Sequence, residues 1–220
     1  MKKHSLLSRS FGLQLERESK VIKMTKFETL DLIVKNNKGF IRTADVETSG
    51  ISRAYFGEYV KERGLERVAQ GLYISQDTWD DEMYVIQVRY PTAIFSHETA
   101  SYLLNLAERE PLQFAVTLKA GANTTGLNKN GIKVYKVKTE LLEEGVIEVQ
   151  TPSEMTVRTY NAERTVCDLV RSRRKLDVQE VQAAFKAYMG KKEKNIPLLL
   201  RYAKLFKVEK VIRGYLEVLL

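Results

Sequence analysis

Apolar side chains fall at helical spacing from the first organised stretch: Phe27, Leu30, Ile33 and Val34 share one stripe and predict a helix over 25–36. Asn36-Asn37-Lys38-Gly39 closes it with a residue able to take the left-handed backbone. Phe40-Ile41 is then a short strand. Thr43 precedes Ala44-Asp45-Val46-Glu47 as an N-cap does, with an acid in the first turn, and Ser49-Gly50 stops that helix. Ile51 points back into the core. Ser52 caps the next helix, which runs to Arg63 with Phe56, Tyr59 and Val60 on one face, and Gly64 ends it. Leu65 to Val68, the turn Ala69-Gln70-Gly71 and Leu72 to Ile74 read as a hairpin, Gly71 supplying the positive φ that such a loop requires.

Three helices, a short strand and a hairpin in this order spell a winged helix-turn-helix, which makes double-stranded operator DNA the expected partner. In such a module the start of the second helix of the pair faces the major groove while the wing tracks the backbone. The candidate DNA contacts are Thr43, Ser52, Arg53, Tyr55 and Arg63 on the helices, with Arg67 and Gln70 in the hairpin. The competing reading is a small helical subdomain with a hairpin used for protein contacts.

The polar run Asp77 to Glu82 marks a connection, and a second domain follows. Tyr84 to Arg89 fits a strand or a short helix, ended by Pro91 in either case. Ser96 is a good cap for a helix from His97 to Leu106. Phe114 to Leu118, Ile132 to Val137, Val146 to Val149 and Met155 to Tyr160 predict a sheet of about four strands. Helices are expected over Ala162 to Ser172, Val178 to Tyr188, Ile196 to Phe206 and Val208 to Leu220. The fold class is α+β: residues 1–23 an N-terminal extension, 24–80 the winged helix, 81–220 a mixed domain with a small sheet and a C-terminal helical set.

Charge alters this picture. The net +8 is uneven: residues 24–80 carry 8 basic and 9 acidic side chains, whereas 152–220 carry 15 basic and 8 acidic, so the surplus lies outside the DNA-reading module. Four cations in five residues, Arg171, Arg173, Arg174 and Lys175, crowd the end of the helix that begins at Ala162. They either answer the negative end of the helix dipole or contact phosphate. Within that helix Arg164 and Asp168 stand at i,i+4 and can pair, worth about 0.2–0.5 kcal/mol if exposed.

Catalytic groups do not converge. Ser96-His97-Glu98 invites a triad reading, but neighbours on a helix point apart and no Gly-x-Ser-x-Gly elbow is present. The loop Lys119 to Gly126 lacks the Gly-Lys-Ser/Thr ending of a phosphate loop and reads as a strand connection. Two histidines, His4 and His97, cannot with one cysteine form a recognisable metal site, and no cofactor is implied. Cys167 sits in an apolar stripe with Val166, Leu169 and Val170 and belongs to a core. A single cysteine rules out an internal disulfide framework, Ser5 to Leu15 is too broken for a signal peptide, and no run is long enough to span a bilayer, so a cytoplasmic protein without a membrane partner is expected.

Three segments, in this order and spacing, carry a more specific likeness: Arg67-Val68-Ala69-Gln70-Gly71-Leu72-Tyr73, then Tyr90-Pro91-Thr92-Ala93-Ile94-Phe95-Ser96-His97-Glu98-Thr99-Ala100, then Tyr160-Asn161-Ala162-Glu163-Arg164-Thr165-Val166-Cys167-Asp168. From about Thr25 onward the chain resembles the AbiEi antitoxins of bacterial abortive-infection systems. The resemblance implies a non-enzymatic protein that binds inverted repeats in its own promoter and represses an operon shared with an AbiEii-like nucleotidyltransferase toxin. It further implies type IV behaviour, in which toxin is opposed without a stable complex. The alternative is a winged-helix transcription factor whose second domain senses a small molecule.

Overall fold

The computed structural model describes residues 24–219, and the expected extension, 1–23, lies outside them. The chain divides into two compact units: one reaches Glu66 and includes Tyr73–Thr78, and the other comprises Arg67–Leu72 with Trp79–Leu220. The architecture is mixed α/β, of the α+β kind, with two small sheets.

The first unit opens with α1 (Lys26–Asn36), held by a capping box in which Glu28 N–H donates to Thr25 Oγ1 at 3.2 Å and Thr25 N–H donates to Glu28 Oε2 at 2.7 Å. Gly39, at φ +92°, ends the turn, its N–H donating to Val34 O at 2.8 Å; a Cβ there would stand 1.7 Å from Thr78 Oγ1. β1 (Phe40–Arg42) leads directly into α2 (Thr43–Thr48). Thr43 is therefore not the N-cap. Arg42 holds that position in extended conformation, and its guanidinium grips Asp45 in the first turn with bonds of 2.9 and 2.7 Å. The strand runs straight into the helix, which moves the expected cap one residue back. α3 (Arg53–Arg63) starts as expected, Ser52 Oγ accepting from Tyr55 N–H at 3.3 Å, and ends at Gly64 with φ +62°. Leu30, Ile41, Val46, Ile51, Phe56, Tyr59 and Leu65 form the buried core. β2 (Glu66–Ala69) and β3 (Leu72–Ile74) complete a three-stranded sheet in the order β1-β3-β2.

The first helix of the second unit is α4 (Glu82–Arg89), so the open choice between strand and helix falls to helix; Asp81 Oδ1 caps it by accepting from Tyr84 N–H at 2.9 Å. Its sheet has five strands where about four were expected. The additional one, β4 (Ile94–Phe95), is too short to show any periodicity, yet it lies centrally, antiparallel to β5 (Ala115–Lys119) and parallel to β8 (Thr156–Tyr160). β6 (Lys133–Val137) runs parallel beside β5, and β7 (Val146–Gln150) antiparallel beside β8, giving the order β6-β5-β4-β8-β7. α5 (His97–Leu103) stops earlier than its predicted Leu106, with Asn105 at φ +55° just beyond it. The loop after β5 contains a one-turn helix, α6 (Thr125–Lys129), which its Gly- and Thr-rich sequence does not announce.

α7 (Ala162–Ser172) is the hub of the helical set. Val166, Cys167, Leu169 and Val170 pack against α8 (Val178–Gly190), α9 (Ile196–Leu205) and α10 (Glu209–Leu219) through Val181, Phe185, Tyr188, Leu199, Tyr202 and Ile212. Strand alternation gives the sheet two unlike faces. Phe95, Val116, Leu118, Val134 and Val157 share an apolar cluster with Met83 and Ile86 of α4. The alternate positions on β5 and β6 are Thr117, Lys133 and Tyr135, and Ser96, His97 and Glu98 at the start of α5 bring polar side chains to them.

Candidate nucleic-acid interface and a buried polar cluster

The turn from Ser49 to Ser52 leaves the start of α3 exposed at Ser52, Arg53 and Ala54. Arg53, with 78% of its side chain exposed, pairs with Glu47 of α2 through Nε and Oε1, so its head is anchored while its outer edge faces solvent. Arg67 and Gln70 on the hairpin are likewise solvent-facing, Arg67 Nε donating to Ala69 O at 3.3 Å. Two expected contacts turn inward to α1. Tyr55 is half-buried against Phe27, ring centroids 5.3 Å apart, and Arg63 grips Asp31 with bonds of 3.0 and 2.6 Å. The Arg63 bond holds the Asp31 carboxyl below its ordinary range, against the pull of partial burial. Both side chains bind α1 to α3, which the helical period could not reveal because the partner lies about 30 residues away in sequence.

The basic cluster at the end of α7 also divides. Arg171 pairs with Asp168 at 2.9 Å, and Arg173 Nη1 donates to Val170 O at 2.9 Å. These two serve the helix. Arg174 and Lys175 are exposed. Lys204, Lys207 and Lys210, on and between α9 and α10, are exposed too and add cationic surface to the same unit.

Beneath α5 and α7 lies a polar layer in which the sequence shows no convergent chemistry. His97 is wholly buried at the first position of α5, in the left-handed region at φ +52°. Its Nδ1 lies 3.1 Å from Ser96 Oγ, its Nε2 3.0 Å from Ser172 Oγ, and its ring stacks on Tyr135 at 3.4 Å and 10°. Ser96 does not cap α5 with its side chain; Ser96 Oγ instead accepts from Thr117 Oγ1 at 2.9 Å. The expectation that adjacent residues here point apart is corrected, because the positive φ folds the imidazole back toward Ser96. Burial, aided by the charges of Arg171, Lys133 and Arg164, holds the imidazole well below its ordinary value of 6.5.

On one side of the imidazole Lys133 Nζ meets Glu98 Oε1 at 2.7 Å. On the other, Asp168 receives Arg164 Nε at 2.8 Å and Arg171, and burial pushing its carboxyl up is opposed by both guanidinium charges. Glu98 Oε2 and Arg164 Nη2 are buried with no hydrogen-bond partner among the described residues. Cys167 is core as expected, its thiol pushed up to about 12 by burial. Among the described residues no three His, Cys, Asp or Glu side chains gather as metal ligands do, and no helix is long and apolar enough to cross a membrane.

No family model and no curated protein matches this chain. Among solved structures, the crystal structure of the RV2827C protein from Mycobacterium tuberculosis is similar, with a TM-score of 0.53 over 83% of this chain and 72% of that one. At 8% sequence identity the likeness is one of fold alone.

Proposed function

We propose that this chain is a cytoplasmic antitoxin and transcriptional autorepressor of a bacterial abortive-infection operon. In this reading residues 24–80 are a winged helix-turn-helix that binds inverted repeats in the chain's own promoter, and residues 81–220 counteract an AbiEii-like nucleotidyltransferase toxin without chemistry of their own. The observation that carries it is the exposed start of α3, where Ser52 and Arg53 follow a tight turn from α2, together with the strand order β1-β3-β2. The three sequence segments that resemble AbiEi antitoxins supply the rest.

Arg53→Ala tests both halves at once. Gel-shift titration of upstream DNA is expected to show a loss of about 1–3 kcal/mol and relaxed preference at one base position. Growth rescue on co-expression with the toxin is expected to persist, since that role falls to the other unit. Equal affinity of the native chain for promoter and scrambled duplex overturns the DNA half. Failure of the soluble native chain to rescue growth overturns the antitoxin half. One observation favours a second reading, a winged-helix transcription factor that senses a small molecule: the polar atoms of Glu98 and Arg164 in the buried layer that have no partner among the described residues.

A further inference from the structure

Gly214 stands inside α10 with no positive φ, and a Cβ added to it meets nothing within 4 Å. A glycine in a helix interior loses more backbone freedom on folding than an alanine does, so the position is costly, and neither the backbone nor the packing of the described residues asks for it. The stripe around it is apolar. Ile212 and Leu216 are buried in the core of the helical set, Val211 and Tyr215 are half-buried at its edge, and Gly214 and Val218 lie outside, Val218 with 82% of its surface exposed. Val211, Gly214, Tyr215 and Val218 follow the spacing i, i+3, i+4, i+7 and share one side of the helix. Lys210 and Glu217, also seven residues apart, border this stripe on its solvent side. Both are exposed and form no ion pair among the described residues, whereas Arg213 and Glu209 are paired with each other at 2.8 Å.

We propose that this face of α10 receives a second copy of the chain, the two α10 helices crossing antiparallel about a two-fold axis at Gly214. In an antiparallel pair each residue faces the one equally far beyond the axis on the other helix. The spans Val211 to Val218 and Lys210 to Glu217 are both centred within half a residue of Gly214. One axis therefore brings Val211 of each helix to Val218 of the other and Lys210 of each to Glu217 of the other, with the glycine at the closest approach, where only a missing Cβ lets two backbones draw together. Apolar positions and charge are satisfied by the same operation. A parallel pair would set Lys210 against Lys210 and Glu217 against Glu217. A foreign partner gives no reason for acid, base and valine to balance about one residue, whereas a two-fold requires it of its own surface. One helix per chain covers less than the roughly 800 Å² that each partner commits to a standard interface, so the pair is a weak one, with a Kd on the order of 100 µM. The inference does not depend on the DNA or antitoxin readings.

The test is sedimentation equilibrium of the full-length chain without DNA, over concentrations up to about 1 mM, ten times the expected Kd. A monomer–dimer equilibrium is expected. Gly214→Gln, which fits a helix but fills the point of closest approach, and Val218→Glu are each expected to abolish it. Lys210→Glu and Glu217→Lys, taken singly, turn both facing pairs into like charges and are expected to raise the Kd about 10-fold, the effect shrinking as salt is added. The double variant Lys210→Glu/Glu217→Lys restores opposite charges across the axis and is expected to return the Kd toward the native value. Restoration is the readout that a purely structural role of these residues would not give, and circular dichroism confirms that each variant is folded. A native chain that stays monomeric throughout, a folded Gly214→Gln chain that dimerises as the native one does, or a double variant no better than the single ones overturns the proposal.

Discussion

Arg164 and Asp168 show how far a pair of residues can differ from its local signature. Their i,i+4 spacing is legible in the sequence, and an exposed pair at that spacing contributes about 0.2–0.5 kcal/mol. In the structure both side chains are fully buried. The guanidinium lies between the rings of Tyr160 and Phe206, 4.1 and 3.8 Å from their centroids, and its Nη1 donates to the carbonyls of Leu141 and Glu144 at 3.0 and 2.9 Å. It thus ties the turn after β6 to α7. None of these partners is local to the pair except Tyr160, so no window of the sequence could display the burial. Removing one member of such a pair leaves an uncompensated charge in a low-dielectric site. Asp168→Ala is expected to lower the unfolding free energy by about 3–5 kcal/mol, read from the urea midpoint of the full chain. A change under about 1 kcal/mol would show that solvent reaches Arg164.

At the scale of elements, what the chain announces is what local chemistry decides. The box at Thr25 and Glu28, the caps at Ser52 and Asn161, and the glycine at position 64 act within a few residues of themselves, and each stands where local chemistry puts it. β4 and α6 escape a reading of the sequence because two residues hold no alternation and one turn holds no stripe. The His97 layer is half-visible: Ser96 and His97 stand side by side, but Ser172 lies 75 residues further on, and a positive φ on a histidine leaves no mark in composition. Two glycines at the ends of one argument make a direct test. Gly57 lies inside α3, where an added Cβ meets nothing within 4 Å, so Gly57→Ala is expected to stabilise the chain by about 0.5–1 kcal/mol. Gly64 has φ +62°, and a Cβ would stand 2.7 Å from Gln76 Nε2, so Gly64→Ala is expected to destabilise by more than that gain. Thermal midpoints of the two variants with opposite signs would bear this out; a destabilised Gly57→Ala would mean that α3 packs on its solvent side.

Across the whole molecule, charge is the property that the sequence displays and the structure redistributes. Residues 24–80 carry a net −1 and residues 152–220 a net +7, so a winged helix reading DNA here gains little counterion release from its own module. The four-cation cluster from Arg171 to Lys175 offers solvent fewer charges than it contains, because Arg171 is held by Asp168 and Arg173 by the Val170 carbonyl. Cations that do face solvent include Arg174, Lys175, Lys204 and Lys207. If these touch phosphate, they contribute affinity that is blind to sequence, whereas Ser52 and Arg53 contribute the discrimination. Reversing the four to Glu in the full chain is expected to weaken promoter and non-promoter duplexes alike and to flatten log affinity against log salt by about 0.9 for each phosphate no longer neutralised. The ratio of promoter to non-promoter affinity is expected to hold. A salt series on native and reversed chains checks both; an unchanged slope would show that this basic face serves another partner and that, in the proposed reading, residues 24–80 hold DNA unaided.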